Sequence, residues 1–157
     1  MTLKENKIII DAAGYTLGRL ATFAAKSALE GKDVIIFNAE QVLISGNRAS
    51  IFKKYRKIYA AKSMTNPIRI GPKRPRNSDR FVRRSIRGML PWNKTRGREA
   101  YTKIMVYIGK PDREIMKVHH IDISKANITE VEGAKVHHDL FVTVAELCKE
   151  LGGKDEQ

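Results

Sequence analysis

Ile8, Ile9 and Ile10 form an unbroken apolar run that ends at Asp11, Ala12, Ala13 and Gly14. Three consecutive branched residues with no polar alternation predict a strand buried on both faces. The rhythm then changes. Leu17, Leu20, Ala21, Ala24, Ala25, Ala28 and Leu29 recur at three- and four-residue intervals, the spacing of one helical face, with Thr16 placed to cap its start and Gly31 to end it. Val34, Ile35, Ile36 and Phe37 make a second buried run. Strand, helix and strand in so short a space predict a right-handed βαβ unit with parallel strands.

After residues 41–44 the turn Ser45-Gly46-Asn47 leads into a helix expected over residues 49–61, with Ile51, Phe52, Tyr55, Ile58 and Tyr59 as its apolar side. Residues 63–78 hold Pro67, Pro72 and Pro75 beside Gly71, which predicts an extended and stiffened connection. Ser78 is the expected cap of a helix over residues 79–89, where Val82, Ile86 and Met89 share a face and Pro91 forbids continuation. Ile104, Val106 and Ile108 alternate with Met105 and Tyr107, predicting a strand over residues 101–108, broken by Gly109-Lys110-Pro111-Asp112. A short fourth strand is expected over residues 118–123. Thr143 three residues before Glu146 reads as a capping box, opening a helix of Val144, Leu147, Cys148 and Leu151 that Gly152-Gly153 closes.

Length turns this pattern into a domain. We expect the 157 residues to fold as one unit, with a basic region over residues 48–113 and a C-terminal extension over residues 124–157. The lone Cys148 has no intramolecular partner and its apolar spacing marks it as a buried hydrophobe. The sequence has neither an apolar run long enough to span a bilayer nor the pattern of a secretory leader, so a cytoplasmic protein is expected.

Charge changes the picture most. The net charge is +13, but residues 48–113 carry 20 Lys and Arg against 3 acids, a balance of +17, while the rest carries 10 against 14. Self-repulsion on that scale calls for a polyanion, nucleic acid before an anionic membrane surface. The densest part is residues 80–100, RFVRRSIRGMLPWNKTRGREA, with six arginines and Lys94 against Glu99 alone. Phe81, Val82, Ile86, Met89 and Leu90 are threaded through it. A disordered basic tail has no use for apolar residues at helical spacing, so this is a docked basic face.

The candidate RNA contacts are Arg48, Lys53, Lys54 and Lys57 on the second helix, and Arg69, Lys73, Arg74 and Arg76 in the proline-rich connection. They continue through Arg80, Arg83, Arg84, Arg87 and Gly88 on the third helix to Trp92, Lys94, Arg96 and Arg98 beyond it. The second helix lacks acids at i, i+4 to neutralise its bases, which favours phosphate contact over a solvated face. Arginine's planar fork can bridge two phosphate oxygens where lysine supplies a point charge. Trp92 has two open readings, a base-stacking ring or an apolar anchor.

Other chemistry finds little support. Gly14 and Gly18 lie between the first strand and its helix and Glu40 follows the second strand, the places of phosphate and ribose contacts in nucleotide-binding folds. Neither glycine signature of such sites is present, and an RNA-modifying or nucleotide-dependent enzyme is the competing reading. A nuclease needs clustered carboxylates, and Asp79, Glu99 and Asp112 are far apart. His119-His120 and His137-His138 are adjacent pairs with no second cysteine to complete a zinc set, so neither metal nor cofactor is expected.

Several runs together resemble the ribosomal protein L13 family in its archaeal and eukaryotic form. They are Asp11-Ala12 with Leu17-Gly18-Arg19-Leu20-Ala21, Ser45-Gly46-Asn47, Arg87-Gly88-Met89-Leu90-Pro91, and Arg96-Gly97 followed by residues 103–109. The Arg-Gly-Met-Leu-Pro run is the specific one. The second strand follows the first helix without the longer insert expected of bacterial relatives. Trp92-Asn93-Lys94-Thr95 stands where relatives often have a basic or histidine residue at once, and after Pro111 the letters match little. The resemblance implies a four-stranded, mostly parallel sheet with helices on both faces and a basic loop-helix extension. It implies a non-enzymatic constituent of the large subunit that binds ribosomal RNA, touches neighbouring ribosomal proteins and supports early assembly.

Overall fold

The structure, a computed structural model, describes residues 7–61, 74–121, 127–135 and 140–154. Strands β1 (Lys7–Asp11) and β2 (Asp33–Phe37) pair in parallel, Ile8 opposite Val34 and Ile10 opposite Ile36, with helix α1 (Leu17–Leu29) between them. On the other side of β2 lies β4 (Ile104–Val106), also parallel, with Ile35 opposite Met105. The central position of β2 explains its composition. Val34, Ile35, Ile36 and Phe37 are all inaccessible to solvent, because both edges are hydrogen-bonded and both faces are covered.

The pleat sends alternate residues to two cores. Ile10, Val34, Ile36 and Ile104 pack with Leu20, Ala21, Ala24 and Ala28 of α1 and with Phe81, Val82 and Ile86 of helix α3 (Ser78–Gly88). Ile9, Ile35 and Phe37 point the other way, onto Ile115 of helix α5 (Asp112–His119). Helices therefore cover both faces, as expected. Residue 128 adds a parallel bridge to Ile9, and Thr129 donates to the Ile9 carbonyl at 2.8 Å.

Among the described residues the main sheet has three strands, not the four expected. Three parallel strands form one sheet, and a separate antiparallel pair joins β3 (Leu43–Ser45) to β5 (Phe141–Thr143). Expectation and structure also part at the strand over residues 101–108. Only residues 104–106 are extended, because Tyr101 and Thr102 end a helix, α4 (Thr95–Thr102), whose Gly97 and Ala100 are buried. The strand expected at 118–123 does not form over residues 118–121. Residues 118 and 119 finish α5, which has acids Asp112 and Glu114 in its first turn and Lys117 and His119 in its last, matching the helix dipole. Residues 122–123 lie outside the described residues.

Helix α2 (Arg48–Ala60) starts on Asn47, whose side chain accepts from the Ala49 amide at 2.9 Å. Asn77, not Ser78, is the N-cap of α3, and Ser78 is buried in the first turn. Thr16 precedes α1 without a side-chain cap bond. Thr143 does cap α6 (Val144–Glu150), accepting from the Glu146 amide at 3.2 Å. At the sheet's carboxyl end, Asn38 takes a left-handed conformation, φ 56, and its side-chain Nδ2 donates to Asp11 Oδ1 at 2.8 Å, tying the ends of β1 and β2 together.

Candidate nucleic-acid interface

Helix α3 divides its residues by angle. Phe81, Val82 and Ile86 are buried against α1 and the sheet, which is worth about 1.5–3 kcal/mol for each large side chain. Arg80 and Arg84 are left exposed, and Arg83 and Arg87 half-buried. None of the ion pairs among the described residues involves these four arginines.

Arg83 and Arg87, one helical turn apart, meet an aromatic pair. The Arg83 guanidinium carbon lies 4.6 Å from the Tyr101 ring centroid, and that of Arg87 lies 3.9 Å from the Trp92 ring. The two rings meet edge to face at 5.2 Å and 89°. Arg98 Nε donates to the Trp92 carbonyl at 3.2 Å. The half-buried Trp92 ring thus has the Arg87 guanidinium over it and the Tyr101 ring at its edge. Lys94, Arg96 and Arg98 are exposed around it, as is Gly88 at the end of α3.

The turn from Pro91 to Lys94 packs tightly on α4. A Cβ at Gly97 would stand 2.2 Å from the Pro91 carbonyl oxygen, so only glycine lets the two segments approach this closely. The same holds farther along, where a Cβ at Gly153 would stand 2.0 Å from the Arg76 carbonyl oxygen. The chain after α6 thus braces the end of the proline-rich connection.

On α2, Lys53, Lys54 and Lys57 are exposed and make no ion pair among the described residues. Arg56 differs, because its guanidinium pairs with Glu150 of α6, Nε to Oε1 at 3.0 Å. Arg48 lies over the Phe52 ring at 5.2 Å and 4.0 Å from Glu146. Acids that are absent from α2 itself are supplied by α6, ninety and more residues away. No local spacing could have revealed them. Arg74 Nη1 donates to the Ala61 carbonyl at 3.1 Å, Tyr59 donates its hydroxyl to the Pro75 carbonyl, and burial pushes the Tyr59 hydroxyl pKa up, keeping it a donor. Arg69 and Lys73 lie outside the described residues.

The residues weighed as a nucleotide site are put to other use. Glu40 Oε2 accepts the Gly109 amide at 2.9 Å, and the Asn38 and Ala39 amides donate to the Gly109 and Tyr107 carbonyls, so Glu40 fastens the loop after β4. Gly14 donates to the Gln41 carbonyl at 3.4 Å. His119 Nε2 stands 3.0 Å from the Tyr107 hydroxyl; burial and the Lys7 ammonium lower the imidazole pKa, with Asp33 opposing. Burial raises the Tyr107 hydroxyl pKa, so the phenol stays protonated, and which of the two groups donates follows the tautomer of the ring. His137 and His138 lie outside the described residues. Among the described residues no three metal-ligating side chains converge, and no helix is long and apolar enough to cross a membrane.

Fold and face together define a small basic α/β protein, with a three-stranded parallel core and an arginine-rich helical shoulder. Residues 5–113 match the family model described as Ribosomal protein L13. The large ribosomal subunit protein uL13 of Methanocaldococcus jannaschii is 41% identical over 146 residues, covering 93% of this chain and 98% of that one. The protein of the same name from Methanococcus maripaludis is 40% identical over 94% of this chain and 98% of its own length. That of Sulfolobus acidocaldarius is 39% identical over 98% of both. The chain belongs to the ribosomal protein L13 family, whose named members here are archaeal ribosomal proteins rather than enzymes. The likeness does not stop at Pro111, since alignments this long must take in most of the C-terminal third.

Proposed function

We propose that the protein is a constituent of the large subunit of the cytoplasmic ribosome, folding as one domain over residues 1–157 and binding large-subunit ribosomal RNA through α3, α4 and the exposed side of α2. The observation that carries this reading is the row Arg80, Arg83, Arg84 and Arg87, fixed on a helix whose other side is buried, with no carboxylate paired to it among the described residues. Arginines held this way face a polyanion with little entropy left to lose. Lys53, Lys54, Lys57, Arg74, Arg76, Lys94, Arg96 and Arg98 are the further bases proposed to meet the RNA, and Arg69 and Lys73 are added on their sequence alone. Docking of RNA on this face relieves the repulsion of the +17 region, which supports a role early in subunit assembly. Neighbouring ribosomal proteins are the expected partners of the remaining surface.

Filter binding of the full chain to deproteinised ribosomal RNA from archaeal large subunits tests this. Affinity is expected to fall steeply with salt, as bound Lys and Arg release condensed counterions. Replacing Arg80, Arg84 and Arg87 together by Ala is expected to flatten that slope and leave the melting temperature within a few degrees. A salt-independent affinity, or a triple variant with wild-type binding, would sink the reading.

A further inference from the structure

We propose that Trp92 and Tyr101 are positioning residues, which hold the guanidinium planes of Arg87 and Arg83 ready for two phosphate groups of a bound nucleic acid and do not themselves stack on bases. This rests on the RNA-binding reading above.

Two cations one helical turn apart repel each other, and neither is neutralised by an acid among the described residues. The aromatic pair resolves the conflict. Arg87 lies over one ring at 3.9 Å, Arg83 over the other at 4.6 Å, and the rings brace each other edge to face at 5.2 Å. Each positive charge thereby meets the negative face of a π system. Arg83 Nε is buried without a hydrogen-bond partner, while its Nη2 reaches the Tyr101 carbonyl at 3.5 Å. A desolvated cation gains more from an aromatic face than a hydrated one.

Contact through the face of the Arg87 guanidinium leaves its in-plane N–H groups, the donors that bridge phosphate oxygens, without a partner among the described residues, whereas Arg83, with Nε buried and Nη2 turned to the Tyr101 carbonyl, offers only the remainder of its fork. The Trp92 backbone is held on both sides, its amide donating to the Leu90 carbonyl at 2.8 Å and its carbonyl accepting from Arg98. The ring therefore stays beneath Arg87, and that face is not open to a base.

A double-mutant cycle on the full chain reads this out, with deproteinised archaeal large-subunit RNA as the probe. R87K keeps the charge and loses the fork, and W92L keeps the fork and loses the ring. Each is expected to weaken binding roughly tenfold, and the double variant to lose no more than the weaker single, because Trp92 acts through Arg87. W92F, which keeps an aromatic face, is expected to stay within about threefold of wild type. Losses that multiply in the double variant, or W92F falling as far as W92L, would overturn the proposal. Trp92 is the only tryptophan, so wild-type emission gives a second readout that needs no substitution. RNA is expected to change it little, and the strong quenching of a base stacked on the indole would also overturn the proposal. If wild type shows no salt-dependent RNA binding, the functional reading fails instead, a result distinct from either of these.

Discussion

Replacing Gly97 by Ala sets two effects against each other at one atom. Within α4 alanine is the better helix former, by about 1 kcal/mol. The new Cβ, however, would stand 2.2 Å from the Pro91 carbonyl oxygen and 2.6 Å from its carbon, where real Cβ contacts do not fall below 3.0 Å. Both offending atoms are backbone, so no side chain can rotate away. Either α4 or the turn carrying Trp92 must move by about 0.8 Å, and forced overpacking of this kind costs about 1–3 kcal/mol or more. With two backbone atoms in the way the cost falls in the upper part of that range, about 2–3 kcal/mol. We therefore expect a net loss of about 1–2 kcal/mol and a melting temperature lower by about 2–8 °C, read by calorimetry. The matched control is Gly88→Ala, also in a helix but exposed, with nothing within 4 Å of its added Cβ. That variant is expected to gain up to about 1 kcal/mol. If Gly97→Ala melted at or above wild type, as Gly88→Ala should, the close packing of the Pro91 turn on α4 would be refuted.

Gly153→Ala meets the Arg76 carbonyl oxygen at 2.0 Å and is expected to lower the melting temperature by several degrees and to increase proteolysis after Arg76; unchanged values would argue against bracing by the C-terminal segment. Folded His119 has a pKa below the ordinary 6.5, so the unfolded chain binds more protons in acid and the stability this ring contributes is full above about pH 6.5 and lost as pH falls through the folded value. Wild type is therefore expected to lose more stability between about pH 7 and pH 5 than His119→Gln, measured by urea unfolding; parallel curves would contradict this. Glu40→Ala frees the Gly109 amide, and its hydrogen exchange is expected to speed up well before global unfolding; equal protection would show that the loop after β4 is held by other contacts.

The long elements were legible from local pattern. Helix α1 repeats its apolar face over more than three turns, and β1 and β2 are too uniformly branched to be anything but buried strands, so their states follow from sequence period alone. The arginine face of α3 was equally plain, because Phe81, Val82 and Ile86 fix which side is inward. Short elements gave no such certainty. Residues 104–108 are apolar without a break, and in 118–123 the apolar residues are spaced first three and then two apart, so neither stretch has a period long enough to separate helix from strand. Contacts from outside each stretch chose between them: the Pro91 turn packs against Gly97 in α4, and Phe37 with Ile9 and Ile35 receives Ile115 of α5.

What the sequence determined by itself is the parallel βαβ core and the sign and side of the α3 charge, since both rest on residue spacing within one element. Tertiary structure alone decided the pairing of β3 with β5, the partial neutralisation of α2 by Glu146 and Glu150, and the seating of Arg83 and Arg87 on Tyr101 and Trp92. The physical reason is common to all three. Each joins groups separated along the chain whose attraction depends on distance and orientation, and those are set only when the cores on the two faces of the sheet have closed.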